Sequence, residues 1–180
     1  MKKVAAIIGG GVIGAGWLAR FLINGWDVRV FDKDPQVERK VDEVLLNARR
    51  ALPMLYDFTL PEEGSLYFCS TLKDAVEDAL WIQESVPERL DIKHAVVSEI
   101  QQYCKKKAVI GSSTSGFMAS QLQEKSSFPD QIMVCHPFNP VYLLPLVEVV
   151  PGRLTSDEHF KSAKKFLTEV GFFPLHVRKE

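Results

Sequence analysis

The stretch from Lys3 to Asp32, KVAAIIGGGVIGAGWLARFLINGWDVRVFD, decides the fold. The apolar run over residues 3–8 reads as a buried strand, 12–24 as an apolar helix, and 27–32 as a second strand. Between the first strand and the helix stands Gly9-Gly10-Gly11-Val12-Ile13-Gly14, a GxGxxG turn. In such a turn Gly9 permits the tight bend, Gly11 lets a pyrophosphate approach the backbone, and Gly14 lets helix and strand pack closely. The pyrophosphate then meets the positive N-terminus of the helix. A glycine-rich turn without a ligand is the plainer alternative. Asp32, 18 residues after Gly14 at the end of the second strand, argues against it. An acid there accepts hydrogen bonds from the ribose hydroxyls of a dinucleotide and repels a 2′-phosphate, which favours NAD over NADP. Lys33 directly follows the acid and offsets part of its charge.

The rest of the chain repeats the alternation. Further strands are predicted over 80–84, 108–111, 131–135, 146–150 and 172–177, and helices over 36–52, 89–104 and 157–170. Near-continuous apolar strands separated by helices predict an α/β, Rossmann-type, doubly wound and mostly parallel sheet with helices on both faces. Residues 52–66, with Pro53, Pro61 and Gly64, read as a loop or hairpin. Trp17, Trp26 and Trp81 fall on positions facing the sheet.

The chain has 180 residues, 46 % hydrophobic and 25 % charged, the composition of one globular domain spanning 1–180. A net charge of −1 gives no general attraction to nucleic acid or an anionic membrane. Cys69, Cys104 and Cys135 are odd in number and far apart, which excludes a disulfide framework or CxxC metal site and suits a reducing, cytoplasmic compartment. The N-terminal Met1-Lys2-Lys3 and apolar run imitate a leader peptide, but glycines at 9, 10, 11, 14 and 16 break the run. No segment approaches the ~20 apolar residues of a membrane span.

The chemistry-bearing segment is Cys135-His136-Pro137-Phe138-Asn139-Pro140. Pro137 biases His136 away from helix, so the histidine is expected just past the carboxyl end of a parallel strand, where open α/β sheets bind ligands. Glu148 lies 12 residues on, inside Leu146-Val147-Glu148-Val149-Val150. A carboxylate in an apolar strand is costly unless paired. If the chain turns through 140–145, Glu148 returns to His136, holds one ring nitrogen and leaves the other as a base; otherwise it faces solvent from a half-exposed strand. Gly111-Ser112-Ser113-Thr114-Ser115-Gly116 follows the neighbouring strand and offers hydroxyls to the same edge, or to turn and helix-cap duties.

Across essentially its whole length the sequence resembles the NAD-binding domain of the L-3-hydroxyacyl-CoA dehydrogenase superfamily. The resemblance rests on His136, Asn139-Pro140 and Leu146-Val147-Glu148. Within the superfamily, Ile82-Gln83-Glu84-Ser85, the 110–116 segment, HPFNPVYLLPLVEVV from His136, and the tail from Pro174 to Glu180 resemble the branch that oxidises L-carnitine. The resemblance implies an NAD-dependent enzyme in which His136 is the general base for a 3-hydroxyl, Glu148 orients it, Ser115 hydrogen-bonds the substrate oxygen and Asn139 lies in the site. It implies that Glu88 and Lys93, in Pro87-Glu88-Arg89-Leu90-Asp91-Ile92-Lys93, contact NAD on the nicotinamide side. Read without it, those two are a helix first turn and a solvated face.

The basic tract after the second strand is short, which weakens the case for a CoA thioester. Phe117, Phe138 and Tyr142 are the aromatic candidates for a trimethylammonium group. The rival readings are a 3-hydroxyacyl-CoA or L-gulonate-type 3-dehydrogenase, and a non-catalytic NAD-binding module. The superfamily's second, helical domain, with most of its homodimer interface, is expected beyond this chain. The apolar cluster over 138–144 is expected to be the surface that receives it.

Overall fold

A computed structural model describes residues 3–180. Met1 and Lys2, which open the leader-like stretch and the 1–180 domain, lie outside the described residues. Among the described residues no helix is long and apolar enough to cross a membrane.

The predicted alternation is present. Strand β1 (Val4–Ile8), helix α1 (Val12–Ile23), strand β2 (Asp27–Phe31) and helix α2 (Val37–Ala51) form the first half, completed by β3 (Leu66–Phe68) and α3 (Leu72–Val76). Then come β4 (Trp81–Glu84), α4 (Leu90–Tyr103), β5 (Val109–Ser112), α5 (Ala119–Gln123), β6 (Ile132–Pro137), β7 (Leu146–Pro151), α6 (Asp157–Glu169) and β8 (Phe173–His176). The strands form one sheet in the order β3-β2-β1-β4-β5-β6-β7-β8. Every neighbouring pair is parallel except β6 and β7.

The side-chain period of two along each strand builds a core on each face. Ala5 and Ile7 of β1, Val109 of β5, and Met133 and Cys135 of β6 pack with α1, α2 and α6. Ala6, Ile8, Ile110, Ile132 and Val134 pack with α3, α4 and α5. All three tryptophans are buried as expected; Trp17 and Trp81 lie 6.0 Å apart between ring centroids, and Phe21 meets Trp26 edge-on at 5.1 Å.

β3, α3 and α5 are not visible as periodic patterns, because elements of three to five residues are too short to show a period. Residues 52–66 contain a single 3₁₀ turn, Leu52–Leu55, and then irregular chain up to β3, with no hairpin. The apolar cluster at 138–144 is also corrected. Phe138 and Leu144 are exposed, but Val141 is 1 % exposed. Its side chain lies under α1, where a Cβ on Gly16 would come within 2.8 Å of it. Tyr142 and Leu143 are half-buried, so the cluster is fully bare only at Phe138 and Leu144 and is interrupted at Val141.

Candidate active site

The glycine turn joins β1 to α1 as its sequence predicts, and each glycine has a separate physical reason. Gly9 has φ +96°, and a Cβ on it would lie 2.6 Å from the Ser85 carbonyl oxygen. A Cβ on Gly14 would lie 1.8 Å from the Gly9 carbonyl oxygen, so helix and turn touch there. A Cβ on Gly11 would meet nothing within 4 Å. Gly11 is the N-cap of α1 and no side chain caps that end, so the first helical N–H groups are not taken up by a side-chain cap. A two-phosphate anion fits this cradle: the amides supply donors and the glycine leaves room.

Asp32 stands one residue past β2. Its Oδ2 accepts the Gly10 N–H at 2.6 Å and its Oδ1 accepts the Asp34 N–H at 2.8 Å. A carboxylate has about four acceptor positions, so two remain for ribose hydroxyls. The same acid thus ties the turn to the second strand. Lys33 is exposed.

At the other side of β1's carboxyl end, β6 runs through His136 rather than ending before it. The reversal at 138–145 brings β7 back antiparallel, with His136 opposite Glu148 in register. His136 Nδ1 and Glu148 Oε2 are 2.9 Å apart. Alternation places both on the face of Val134 and Val150, toward α4 and α5. His136 is 28 % exposed, and the Phe138 ring meets its ring edge-on at 5.6 Å. His136 and Glu148 line a cavity of about 260 Å³ with Ser115, Phe117 and, from the tail after β8, Lys179 and Glu180. Asn139 is exposed in the reversal and is not part of that cavity lining. Tyr142 is half-buried, and its carbonyl accepts from Arg20 at 2.9 Å.

The hydroxyl run resolves by elimination among its own residues. Ser112 Oγ donates to Glu84 Oε2 at 2.5 Å. Ser113 Oγ bonds to Ser85 Oγ and Gln83 Nε2, each at 2.8 Å. Thr114 Oγ1 donates to Glu88 Oε1. Among the described residues Ser115 Oγ alone of the four has no partner, and Ser115 is on the cavity wall. None of the serines caps α5, whose N-cap is Met118.

Glu88 and Lys93 lie close together, and the solvated-face reading of Lys93 is overturned. Lys93 is 1 % exposed, its ammonium 2.9 Å from Glu84 Oε1 and 3.2 Å from Glu88 Oε2, and it donates to the Val86 carbonyl at 3.3 Å. Glu84 is fully buried and was missed as a site residue. The signal that pointed to Glu148, a carboxylate within an apolar strand, was present in Trp81-Ile82-Gln83-Glu84 as well. Burial of Glu88 opposes its charge, but the Thr114 hydroxyl, Lys93 and the Gly116 N–H outweigh that and hold its carboxyl below the ordinary range.

A lowered acid contributes stability above its unfolded-state value, and loses it as pH falls through the folded-state value. Thermal melts of wild type and Glu88→Gln should therefore differ at neutral pH and converge in acid; parallel curves down to pH 3 would refute the assignment. Elsewhere, Cys135 is a fully buried core residue whose thiol is pushed up by burial.

The sequence matches the family described as "3-hydroxyacyl-CoA dehydrogenase, NAD binding domain" over residues 4–180. It is 62 % identical over 176 residues to the L-carnitine dehydrogenase/betainyl-CoA thioesterase of Ruegeria pomeroyi, covering 98 % of this chain and 36 % of that protein. It is 52 % identical over 177 residues to the L-carnitine dehydrogenase of Mesorhizobium japonicum, covering 98 % of this chain and 49 % of the relative. The chain thus spans half or less of these curated relatives. Among solved structures, a 5-formyl-3-hydroxy-2-methylpyridine 4-carboxylic acid 5-dehydrogenase described as an NAD+-dependent dismutase superposes with TM-score 0.89 at 29 % identity, over 99 % of this chain and 58 % of that one. The 3-hydroxybutyryl-CoA dehydrogenase of Escherichia coli shares the fold, with TM-score 0.84 at 21 % identity over 98 % of this chain and 38 % of that one. The glycine cradle, the acid beyond β2 and this match across nearly every residue together place the chain in the 3-hydroxyacyl-CoA dehydrogenase family, as an NAD-binding domain.

Proposed function

We propose that this chain is the cofactor-binding part of an enzyme that oxidises the 3-hydroxyl of L-carnitine to 3-dehydrocarnitine. The observation that carries the reading is the registered His136–Glu148 pair, 2.9 Å apart, beside the uncommitted Ser115 hydroxyl. Glu148 holds Nδ1 and leaves Nε2 to take the hydroxyl proton. Ser115 hydrogen-bonds the same oxygen and fixes its direction. NAD, when bound, would supply the hydride acceptor for C3. Gly9, Gly11 and Gly14 would seat the pyrophosphate and Asp32 the ribose, while Asn139 stands exposed in the reversal outside the cavity lining and would act only from there.

Carnitine is favoured over a CoA thioester by the names of the relatives and by the short basic tract after β2. Phe117 and Phe138 give a trimethylammonium group aromatic faces beside the base. In this reading the remaining wall comes from a second, helical domain, the full protein is a cytoplasmic homodimer, and its partner is a small 3-hydroxy acid rather than nucleic acid or membrane. A histidine paired with a carboxylate next to an uncommitted hydroxyl is more than a nucleotide-binding module needs.

The test is a steady-state assay of the full-length protein with NAD against L-carnitine, L-gulonate and 3-hydroxybutyryl-CoA. Carnitine should have the highest kcat/KM; a preference for either of the others would displace it. Calorimetric titration should show tighter binding of NADH than NADPH, and Asp32→Asn should narrow the gap. Equal or tighter NADPH binding by wild type would mean that Lys33 governs the ribose pocket.

A further inference from the structure

The loop after β5 has no regular structure, yet it carries the one uncommitted hydroxyl of its run. Backbone N–H groups in such a loop need partners. Those of Ser115 and Gly116 both donate to one oxygen, Glu88 Oε1, at 3.1 and 3.0 Å, and the Thr114 hydroxyl donates to it as well. Glu88 precedes α4 on a different crossover, 27 residues earlier in the chain than Ser115. Three donors from consecutive residues therefore converge on a carboxylate from another element. Hydrogen bonds to a charged acceptor are about twice as strong as neutral ones.

The carboxylate is itself held. Glu88 Oε2 lies 3.2 Å from the Lys93 ammonium, which itself donates to Glu84 Oε1 and to the Val86 carbonyl. At 1 % exposure that ammonium is closed off from water. Glu84 Oε1 also accepts the Val86 N–H at 2.9 Å, and its Oε2 takes the Ser112 hydroxyl. The network thus joins the ends of β4 and β5 to the start of α4, and Glu88 is its outlet toward the cavity.

We propose that Glu88 is a positioning residue: it braces residues 114–116 so that Ser115 stays on the wall it shares with His136. This rests on the reading of Ser115 as the group that hydrogen-bonds the substrate oxygen. Glu88 is 44 % exposed, so its removal leaves no core cavity and the fold survives the test.

The experiment is amide hydrogen exchange and steady-state kinetics on the full-length protein with Glu88→Ala and Glu88→Gln. In E88A the Ser115 and Gly116 amides should exchange ~10-fold faster, the loss of about one hydrogen bond's worth of protection, with β1 and α1 unchanged. E88Q keeps an acceptor oxygen and should retain most of that protection. Misplacement by ~1 Å costs up to ~10²-fold in turnover. E88A should therefore lose kcat on that scale and by clearly more than it loses NADH affinity, and E88Q should recover most of it. Unchanged exchange at 115 and 116 in E88A would overturn the proposal. So would equal losses of kcat and NADH affinity in both variants, which would make Glu88 a direct dinucleotide contact. If wild type oxidises no 3-hydroxy acid, the functional reading falls while the exchange result still decides whether Glu88 braces the loop.

Discussion

Replacing His136 by alanine in the full-length protein is expected to lower kcat by roughly 10²–10⁴-fold, the usual contribution of a general acid–base group, while NAD affinity barely moves. The split follows from the layout. In the proposed reading the glycine turn and Asp32 would hold the dinucleotide's phosphates and adenosine ribose on the β1–β2 side of the sheet, and the pair that would take the proton lies on β6 and β7 on the other side. Glu148→Gln should show a smaller loss of the same kind. Its amide oxygen can still accept from Nδ1–H and hold the ring, but it no longer supplies the negative charge that stabilises an imidazolium. The two effects should not add, because both act on one ring nitrogen pair. Near-normal turnover in the His136 variant would remove the histidine from the reaction.

Two glycines of one turn should both be needed for NADH but differ in what they do for stability. In Gly14→Ala the new Cβ would stand 1.8 Å from the Gly9 carbonyl oxygen, which is backbone and cannot swing aside. Helix α1 must move off the turn, and α1 carries Trp17, Leu18, Phe21 and Leu22, all in the core. Overpacking of this kind costs ~1–3 kcal/mol or more, so a clear fall in melting temperature is expected together with loss of NADH binding. In Gly11→Ala the Cβ meets nothing in the chain. Its melting temperature should stay near wild type, yet NADH should bind far more weakly, because the methyl occupies the approach of the pyrophosphate. Thermal melts and calorimetry on both variants decide the matter. If Gly11→Ala binds NADH as well as wild type does, the phosphate path lies elsewhere.

The glycine turn, the acid beyond β2 and the order of long elements were legible in the sequence, because each is local. A GxGxxG turn follows from backbone sterics, and twelve to fifteen helical residues are long enough to show a period. The pairing of His136 with Glu148 was legible only as a conditional. It required β7 to run antiparallel, and an apolar run over 146–150 carries no mark of its direction; the reversal at 138–145, seated by Val141 against Gly16, decided it. Lys93 read as surface because its helix pattern is polar, and only the fold put three acceptors around its ammonium and closed water out. Which serine of 112–115 is left uncommitted was likewise beyond local reading, since the partners of the other three hydroxyls come from β4 and the segment before α4, more than twenty residues away in the chain. The sequence by itself determined a dinucleotide-binding sheet and the residue types of its site; tertiary structure decided which of those side chains meet, because burial and strand register are properties of the assembled sheet and not of any one segment.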